Sequence, residues 1–224
     1  MPRTCRILPD NFVQHVINRG NRREPIFREP ADYKDFFCLL ADAQERVPMR
    51  ILDVCLMTNH FHIVFWPERG EALSAYMTWF MNAQIRRLQK RHGLTGLGHI
   101  YQGRFRNFIV QSDSHLYRVL RYVEANPLRA GMVERAEQYP WCSLSQRRTP
   151  DGRRYLTEWP VSKPENWLSY VNEGISAHEL EGLRASTRRG TPYGDEAWVD
   201  LVVRAYGLES TVRKPGRPVD STGS

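Results

Sequence analysis

The sequence contains few cysteines, and they are scattered. Its 224 residues include four, Cys5, Cys38, Cys55 and Cys142, without a Cys-x-x-Cys pair. This spacing supports neither a disulfide framework nor a zinc knuckle. The sequence also lacks an apolar leader at its start and any apolar run long enough to span a bilayer. We therefore expect a protein of the reducing cytoplasm that does not enter a membrane.

Acidic residues are fewer than basic ones. Asp and Glu total 25 against 32 Lys and Arg, which gives a net charge of +7. Hydrophobic residues make up 41% and aromatic residues 11% of the chain, so wholly disordered and collagen-like classes are excluded. The length suits one main domain with a smaller appendage. The basic excess favours a polyanionic partner such as nucleic acid, although solubility alone is an ordinary reason for it.

The hydrophobic pattern predicts an α+β fold. Helical spacing covers residues 31–46 and 71–91. The residues between the second and third β-rich runs, Thr58 and Asn59, form a connection short enough for an antiparallel hairpin. The resulting βαββαβ order is typical of a ferredoxin-like antiparallel sheet, with helices on one face and the other face free for a partner. The β-rich runs are residues 12–18, 49–57, 61–66 and 104–111.

The chain changes character after residue 145, where Arg, Pro, Gly and Trp become frequent. We predict a main domain over residues 1–145 and a basic C-terminal extension over 146–224. The extension is expected to contain two helices, at 176–187 and 195–207, and to end in a disordered tail.

A His-Phe-His sequence is the first candidate for chemistry. His60 and His62 fall in a predicted strand, where alternate side chains point to the same side of the sheet. Two neutral imidazoles can hold a divalent cation when a neighbouring element supplies a third ligand. By itself the pattern is short, and packing or surface histidines are the commoner explanation for it.

A predicted helix starts at Ser112 or Asp113 and runs to Pro127. It places Tyr122 and Asn126 on one face, four residues apart. A tyrosine hydroxyl can attack a phosphodiester when a metal neutralises the developing charge, and Asn126 can supply an oxygen to that metal. The alternative is a tyrosine at the edge of the core and an asparagine that ends the helix. The neighbouring Tyr117 is a competing nucleophile, but its i+4 partner is Arg121, which cannot bind a cation.

Four motifs carry a family resemblance. They are HVINRGNRREPIF at 15–27, MTNHFHIVF at 57–65, YQGRFRNFIV at 101–110 and RYVEANPLRAGMV at 121–133. In this order, over approximately residues 11–145, they resemble the single-tyrosine HUH transposases, and among them the REP-associated tyrosine transposases. The resemblance implies a metal-dependent endonuclease and strand transferase that acts on single-stranded DNA hairpins such as REP sequences.

The same resemblance implies roles for individual residues. His60 and His62 match the histidines that hold Mg²⁺ or Mn²⁺, and Tyr122 matches the nucleophile that forms a transient 5′-phosphotyrosine. Related enzymes often have Gln four residues after this tyrosine as a metal ligand. Asn126 stands there in this sequence and is one methylene shorter.

Basic side chains near this centre are predicted to bind DNA phosphates, while a solvated basic face is the ordinary alternative. The C-terminal Arg188 and Arg189 and the sequence PGRP at 215–218 resemble a DNA-contacting appendage, and a solubilising role is equally compatible. The predicted DNA-binding residues are Arg86, Arg87, Lys90, Arg91, Arg104, Arg106, Arg118 and Arg121.

Two other functions compete with the nuclease. A domesticated relative would bind hairpins without cutting them, and an unrelated metal-dependent hydrolase would use water as its nucleophile and make Tyr122 dispensable. The alignment of two histidines with a phenol favours the nuclease, because a pure binding protein does not need it. We expect a nucleoid-associated protein, and the sequence is compatible with a monomer or a homodimer.

Overall fold

The computed structural model describes residues 8–213 and is organised around one four-stranded antiparallel sheet. The strand order is β2-β3-β1-β4, so the first strand is central and pairs with both β3 and β4. The predicted hairpin is confirmed, because Met57 pairs with His60 across Thr58 and Asn59. The strands are β1 (Val13–Arg19), β2 (Arg50–Met57), β3 (His60–Trp66) and β4 (Arg106–Val110).

Two long helices cover one face of this sheet. Helix α1 spans Pro30–Arg46, and α2 spans Gly70–His92. Proline is tolerated in the first turn of α1, where an amide hydrogen has no partner within the helix. The first core cluster packs both helices against alternate residues of the strands, including Phe61 and Ile63. The observed order βαββαβ and the antiparallel sheet confirm the predicted ferredoxin-like α+β class.

The expectation that the second face stays free is wrong. Helix α3 (Ser114–Glu124) packs on it, beginning after Asp113, whose side chain accepts a hydrogen bond from the His115 amide. The apolar stripe of α3 is buried against strand residues such as Val64. A stripe of this width needs an apolar surface to bury it, and the second face supplies one. The stripe consists of Leu116, Val119, Leu120 and Val123.

Pro127 does not end the tyrosine helix as predicted. Helix α3 ends at Glu124, and Ala125 keeps a right-handed helical conformation. A short helix, α4 (Asn126–Arg129), follows with Pro127 in its first turn. Proline is compatible with this position because no intrahelical hydrogen bond is lost there. The chain therefore stays helical through Asn126.

Strand β4 is more deeply buried than its alternating pattern indicates. Phe108, Ile109 and Val110 are all buried, although the pattern predicts one exposed side. The cause is distant in sequence. Phe108 and Val110 share the second core cluster with Leu183 of α7, and the Tyr193 amide donates to the Ile109 carbonyl at 2.8 Å.

The C-terminal residues pack on the same face as α3. Trp167, Val171 and Leu183 are buried in the cluster that contains the α3 stripe. The segment 146–154 is held to β2, because Arg147 donates hydrogen bonds to the Leu52 and Thr157 carbonyls. The division at residue 145 stays a prediction. The helices here are α5 (Ser143–Gln146), α6 (Trp167–Asn172), α7 (Ala177–Arg189), α8 (Glu196–Tyr206) and α9 (Glu209–Val212).

Helices α7 and α8 agree with the helices predicted at 176–187 and 195–207. The predicted disordered tail covers residues 213–224. All of it except Arg213, including the PGRP sequence at 215–218, lies outside the described residues. No helix within residues 8–213 combines the length and the apolar character that crossing a bilayer requires.

Candidate active site

Two histidines of β3 face α3, together with a third histidine from β1. Alternation along β3 places His60 and His62 on this side, with ring centroids 5.0 Å apart. The neighbouring strand β1 contributes His15, whose Nε2 lies 2.9 Å from Nδ1 of His62. His60 has its own neighbour, since its Nδ1 lies 2.8 Å from Oδ1 of Asn59. Each imidazole of the His-Phe-His sequence is thus held through its Nδ1 atom.

These contacts decide which nitrogen can bind a cation. The Asn59 amide donates through Nδ2 to the Arg23 carbonyl, so its Oδ1 faces His60 as an acceptor. His60 then carries its hydrogen on Nδ1 and has a lone pair on Nε2. In His62 the Nε2 atom is buried and has no hydrogen-bond partner among residues 8–213. A buried nitrogen of this kind fits the requirement of a divalent cation for a neutral imidazole ligand.

Burial keeps these imidazoles uncharged at neutral pH. Burial, with the positive charges of Arg19 and Arg129, lowers the pKa of His60 to about 4. Burial lowers the pKa of His62 well below its ordinary value, and the neighbouring histidines add to the effect. Burial also lowers the pKa of His15 to about 3. The unprotonated imidazole is the form that binds a metal.

Helix α3 brings Tyr122 to the two β3 histidines. Its ring centroid lies 5.6 Å from that of His62, and the two ring planes are nearly perpendicular at 87°. Asn126 follows one turn later, and its Nδ2 donates to the Tyr122 carbonyl at 2.8 Å. This hydrogen bond uses the amide nitrogen and leaves the Oδ1 atom as the potential ligand. The arrangement therefore brings together four residues that sequence patterns selected separately.

These residues line one cavity of about 530 Å³. Its wall is strongly basic and is built from several elements of the fold, including the C-terminal helix α7. A concave basic surface around neutral metal-ligand candidates suits a phosphate-containing substrate. The arginines of the wall are Arg19, Arg104, Arg106, Arg129, Arg184 and Arg188.

Arg129 is the arginine most closely associated with the candidate nucleophile. Its Cζ atom lies 4.7 Å from the centroid of the Tyr122 ring, and its Nη1 is 3.5 Å from the Tyr122 carbonyl oxygen. Burial lowers the pKa of Arg129 below its ordinary value. A guanidinium remains charged at physiological pH, so a cation stands beside the phenol.

The predicted DNA-binding residues do not form one surface. Arg104 and Arg106 line the cavity. Arg118 lies beside Tyr193, and its charge lowers the pKa of that phenol against a larger rise caused by burial. Arg121 is buried, with its Nη2 atom 2.6 Å from the Glu179 carboxylate. The basic residues of α2 lie across the sheet from the cavity, and they are Arg86, Arg87, Lys90 and Arg91.

Two of the α2 arginines are paired with acids of α1 and its cap. Arg91 contacts Asp32 at 2.9 Å, and Arg87 lies 3.5 Å from both Asp35 and Asp42. Asp32 also accepts hydrogen bonds from the backbone amide of Glu29, the N-cap residue of α1, and from His92. Glu29, Asp32 and His92 are close enough to share a cation, but these contacts explain the cluster as a helix cap and ion-pair network.

Sequence reasoning missed His15, Arg129 and Arg184. His15 and Arg129 both fall inside the quoted family motifs. Strand alternation puts His15 on one side of β1, but its contact with His62 depends on the order of the strands. Arg184 carried no local signal except its positive charge, whereas Arg188, which the sequence assigned to a DNA-contacting appendage, lines the cavity.

The comparisons with known proteins agree with this architecture. Residues 10–126 match the family model described as Transposase IS200 like, which is more than half of the chain. The chain belongs to the IS200-like transposase family. All four residues of the candidate centre, His60, His62, Tyr122 and Asn126, fall within the matched region.

Among the relatives is a Haemophilus influenzae protein that carries the name REP-associated tyrosine transposase. It is 24% identical over 123 residues, which cover 51% of this chain and 69% of the relative. The fold is similar to a solved structure of a REP-associated tyrosine transposase bound to a REP hairpin. That similarity has a TM-score of 0.52 with 15% sequence identity, and it covers 79% of this chain and all of the other.

Proposed function

We propose that this chain is a metal-dependent endonuclease and strand transferase that cuts single-stranded DNA through Tyr122. The observation that carries the proposal is the convergence of His60, His62 and Tyr122 on one arginine-lined cavity. A protein that only bound DNA would not need two neutral imidazoles with available nitrogens next to a buried phenol. A hydrolase that used water would not need the phenol.

The cleavage step is a transesterification. The Tyr122 Oη atom attacks the scissile phosphorus, a new P–O bond forms, and the bond from phosphorus to the 3′ oxygen breaks. The phenol loses its proton, and the departing 3′ oxygen gains one. The products are a 5′-phosphotyrosine and a free 3′-hydroxyl. In the reverse step, a 3′-hydroxyl attacks the phosphotyrosine of another DNA end, joins the two strands and releases Tyr122. No net hydrolysis occurs, so the phosphodiester energy is retained for joining.

His60, His62 and Asn126 are the residues that would hold the cation, through the two Nε2 atoms and the Asn126 Oδ1 atom. A bound Mg²⁺ or Mn²⁺ would neutralise phosphate charge and make the phosphorus easier to attack. The Nδ1 contacts to Asn59 and His15 hold the imidazole rings in place. The hydrogen bond from Asn126 to the Tyr122 carbonyl couples the third ligand to the helix that carries the nucleophile.

The basic wall supports a nucleic-acid substrate. Arg104 and Arg106 enter the cavity from the β4 side, and Arg184 and Arg188 enter it from α7. Guanidinium groups bind phosphate oxygens with two donors each, so a strand that crosses the cavity would find several phosphate contacts. We infer that a DNA hairpin of the REP type is the substrate, because a protein with this fold was solved with such a hairpin. On this basis we also propose a nucleoid-associated site of action.

The deciding experiment traps the covalent product. The purified full chain is incubated with a labelled library of single-stranded DNA hairpins and Mg²⁺ or Mn²⁺, and protein-linked DNA is detected on a denaturing gel. We expect an adduct that requires the metal and is absent in Tyr122→Phe and His62→Ala. Tyr117→Phe is a matched control, because Tyr117 lies on the same helix and its hydroxyl donates to the Ser162 carbonyl. This control should form the adduct.

The other outcomes identify the competing functions. Hairpin binding without cleavage across the library would indicate a domesticated binding protein. Cleavage that survives Tyr122→Phe would make water the nucleophile. Circular dichroism of each variant shows whether a lost adduct reflects lost folding instead.

A further inference from the structure

His15 is a buried histidine that contacts His62 and has no role of its own in the proposed reaction. It lies on the central strand β1, opposite Val64 of β3 and Phe108 of β4. Its side chain has no solvent exposure, and its ring packs against Phe108 with centroids 4.7 Å apart. Its Nε2 atom is 2.9 Å from Nδ1 of His62. The two imidazoles therefore share one hydrogen across this distance.

A neutral imidazole has one N–H, so the shared hydrogen has two arrangements. If His15 donates from Nε2, His62 accepts at Nδ1 and carries its own hydrogen on Nε2, where it blocks a metal. If His62 donates from Nδ1, its Nε2 atom has a free lone pair. The remaining nitrogens, Nε2 of His62 and Nδ1 of His15, are buried without hydrogen-bond partners in the described part of the chain. No other hydrogen bond there fixes the choice.

The Nδ1 partner of His60 differs from that of His62. The Asn59 Oδ1 atom can only accept, so it imposes the metal-binding tautomer on His60 at all times. His15 can accept or donate, so it permits both tautomers of His62. The second ligand thus has a partner that supports metal binding without enforcing it.

We propose that His15 is a positioning residue that accepts the Nδ1 hydrogen of His62 and thereby directs the His62 Nε2 lone pair to the cation. This role rests on the metal site of the proposed function. A partner of this type fixes the orientation and basicity of a ligating histidine, and its loss commonly lowers metal affinity 10- to 100-fold. His15 itself does not touch the cation or the DNA.

The test measures metal binding and tautomer without DNA. Mn²⁺ affinity of the full chain is determined by electron paramagnetic resonance, and the imidazole nitrogens of ¹⁵N-histidine protein are followed by NMR during a Mg²⁺ titration. We expect His15→Leu to weaken Mn²⁺ binding by about 10- to 100-fold. His15→Gln, whose amide oxygen can accept the same hydrogen, should retain most of the affinity. In the wild type, Mg²⁺ should leave His62 protonated on Nδ1 alone.

Phe108→Leu is the matched control, because it removes packing beside His15 and leaves the imidazole in place. Its Mn²⁺ affinity should stay near that of the wild type. Equal losses in His15→Leu, His15→Gln and Phe108→Leu would overturn the proposal, as they would reveal a packing role. A Mg²⁺-loaded His62 protonated on Nε2 would also overturn it. Metal binding that depends on His15 without any DNA adduct would contradict the proposed nuclease and leave the His15 role intact.

Discussion

Arg129 lines the cavity directly beside the candidate nucleophile, Tyr122. Its guanidinium lies over the Tyr122 ring and lines the same cavity as His60 and His62. In the proposed reaction, negative charge develops on the phosphate oxygens next to this cation. We predict that Arg129→Gln lowers the rate of adduct formation by about 100-fold, as the loss of one preorganised donor to a developing anion commonly does. Single-turnover kinetics with a hairpin substrate measures this rate.

The comparison variant is Arg135→Gln, since Arg135 is exposed and paired with Glu137 away from the cavity. It should react at the wild-type rate. If Arg129→Gln formed the adduct as fast as the wild type, Arg129 would have no part in the reaction.

At the scale of single residues, local periodicity predicted the site residues that are close to one another in sequence. The two-residue period of a strand placed His60 and His62 on one side, and the four-residue spacing placed Asn126 near Tyr122. The first relation holds within one strand, and the second holds because the chain stays helical from α3 into α4. The contact between His15 and His62 joins residues 47 positions apart through the pairing of two strands, and local periodicity carries no information about that pairing.

At the scale of elements, the sequence predicted the helices and strands themselves. It did not predict which other elements pack over each strand. The order βαββαβ and the hairpin were correct because the hydrophobic period changes at clear turn signals. The burial of β4 was missed because its second cover comes from residues beyond 160. Pro127 was misjudged because proline suits the first turn of a helix as well as the position after one.

Helix α3 ends at a buried acid, Glu124, which lies between Tyr122 and Asn126 in the sequence. The Trp167 indole donates to Glu124 at 2.6 Å, and this hydrogen bond and the positive charges of Lys163 and Arg147 lower the pKa of Glu124 against a larger rise caused by burial. Burial raises the pKa of Glu124 from 4.5 to about 7. The folded state therefore binds the proton more tightly than the unfolded chain. The stability that Glu124 contributes is fully present below pH 4.5 and is lost as the pH rises to about 7.

We predict that Glu124→Gln removes this loss. The amide oxygen can still accept from Trp167, and the side chain has no charge to bury. From pH 5 to pH 8 the free energy of unfolding of the variant should rise relative to the wild type by on the order of 3 kcal/mol. Urea unfolding at both pH values measures the difference, with Glu158→Gln as an exposed control. Parallel pH profiles for wild type and Glu124→Gln would show that Glu124 is not buried as an acid.

At the scale of the whole molecule, the C-terminal part is joined to the sheet and to the cavity. Trp167 and Leu183 are buried in the same cluster as the α3 stripe, and Tyr193 forms a bridge with Val110. Residues on both sides of position 145 therefore contribute to one buried cluster, and the division at 145 stays a prediction. Removal of everything after residue 150 would expose this cluster, so point variants of α7 are the sharper probe of DNA binding.

The salt dependence of DNA binding distinguishes the two basic surfaces of the molecule. Arg184 and Arg188 of α7 line the cavity, whereas Arg86 and Lys90 of α2 lie across the sheet. Each phosphate contact on a single strand contributes about 0.7 to the slope of log affinity against log salt. We predict that the double variant Arg184→Gln/Arg188→Gln lowers the magnitude of this slope by about 1.4. The double variant Arg86→Gln/Lys90→Gln should leave it unchanged. Fluorescence anisotropy with a hairpin at several salt concentrations measures both slopes, and the reverse result would place the DNA on the α2 face.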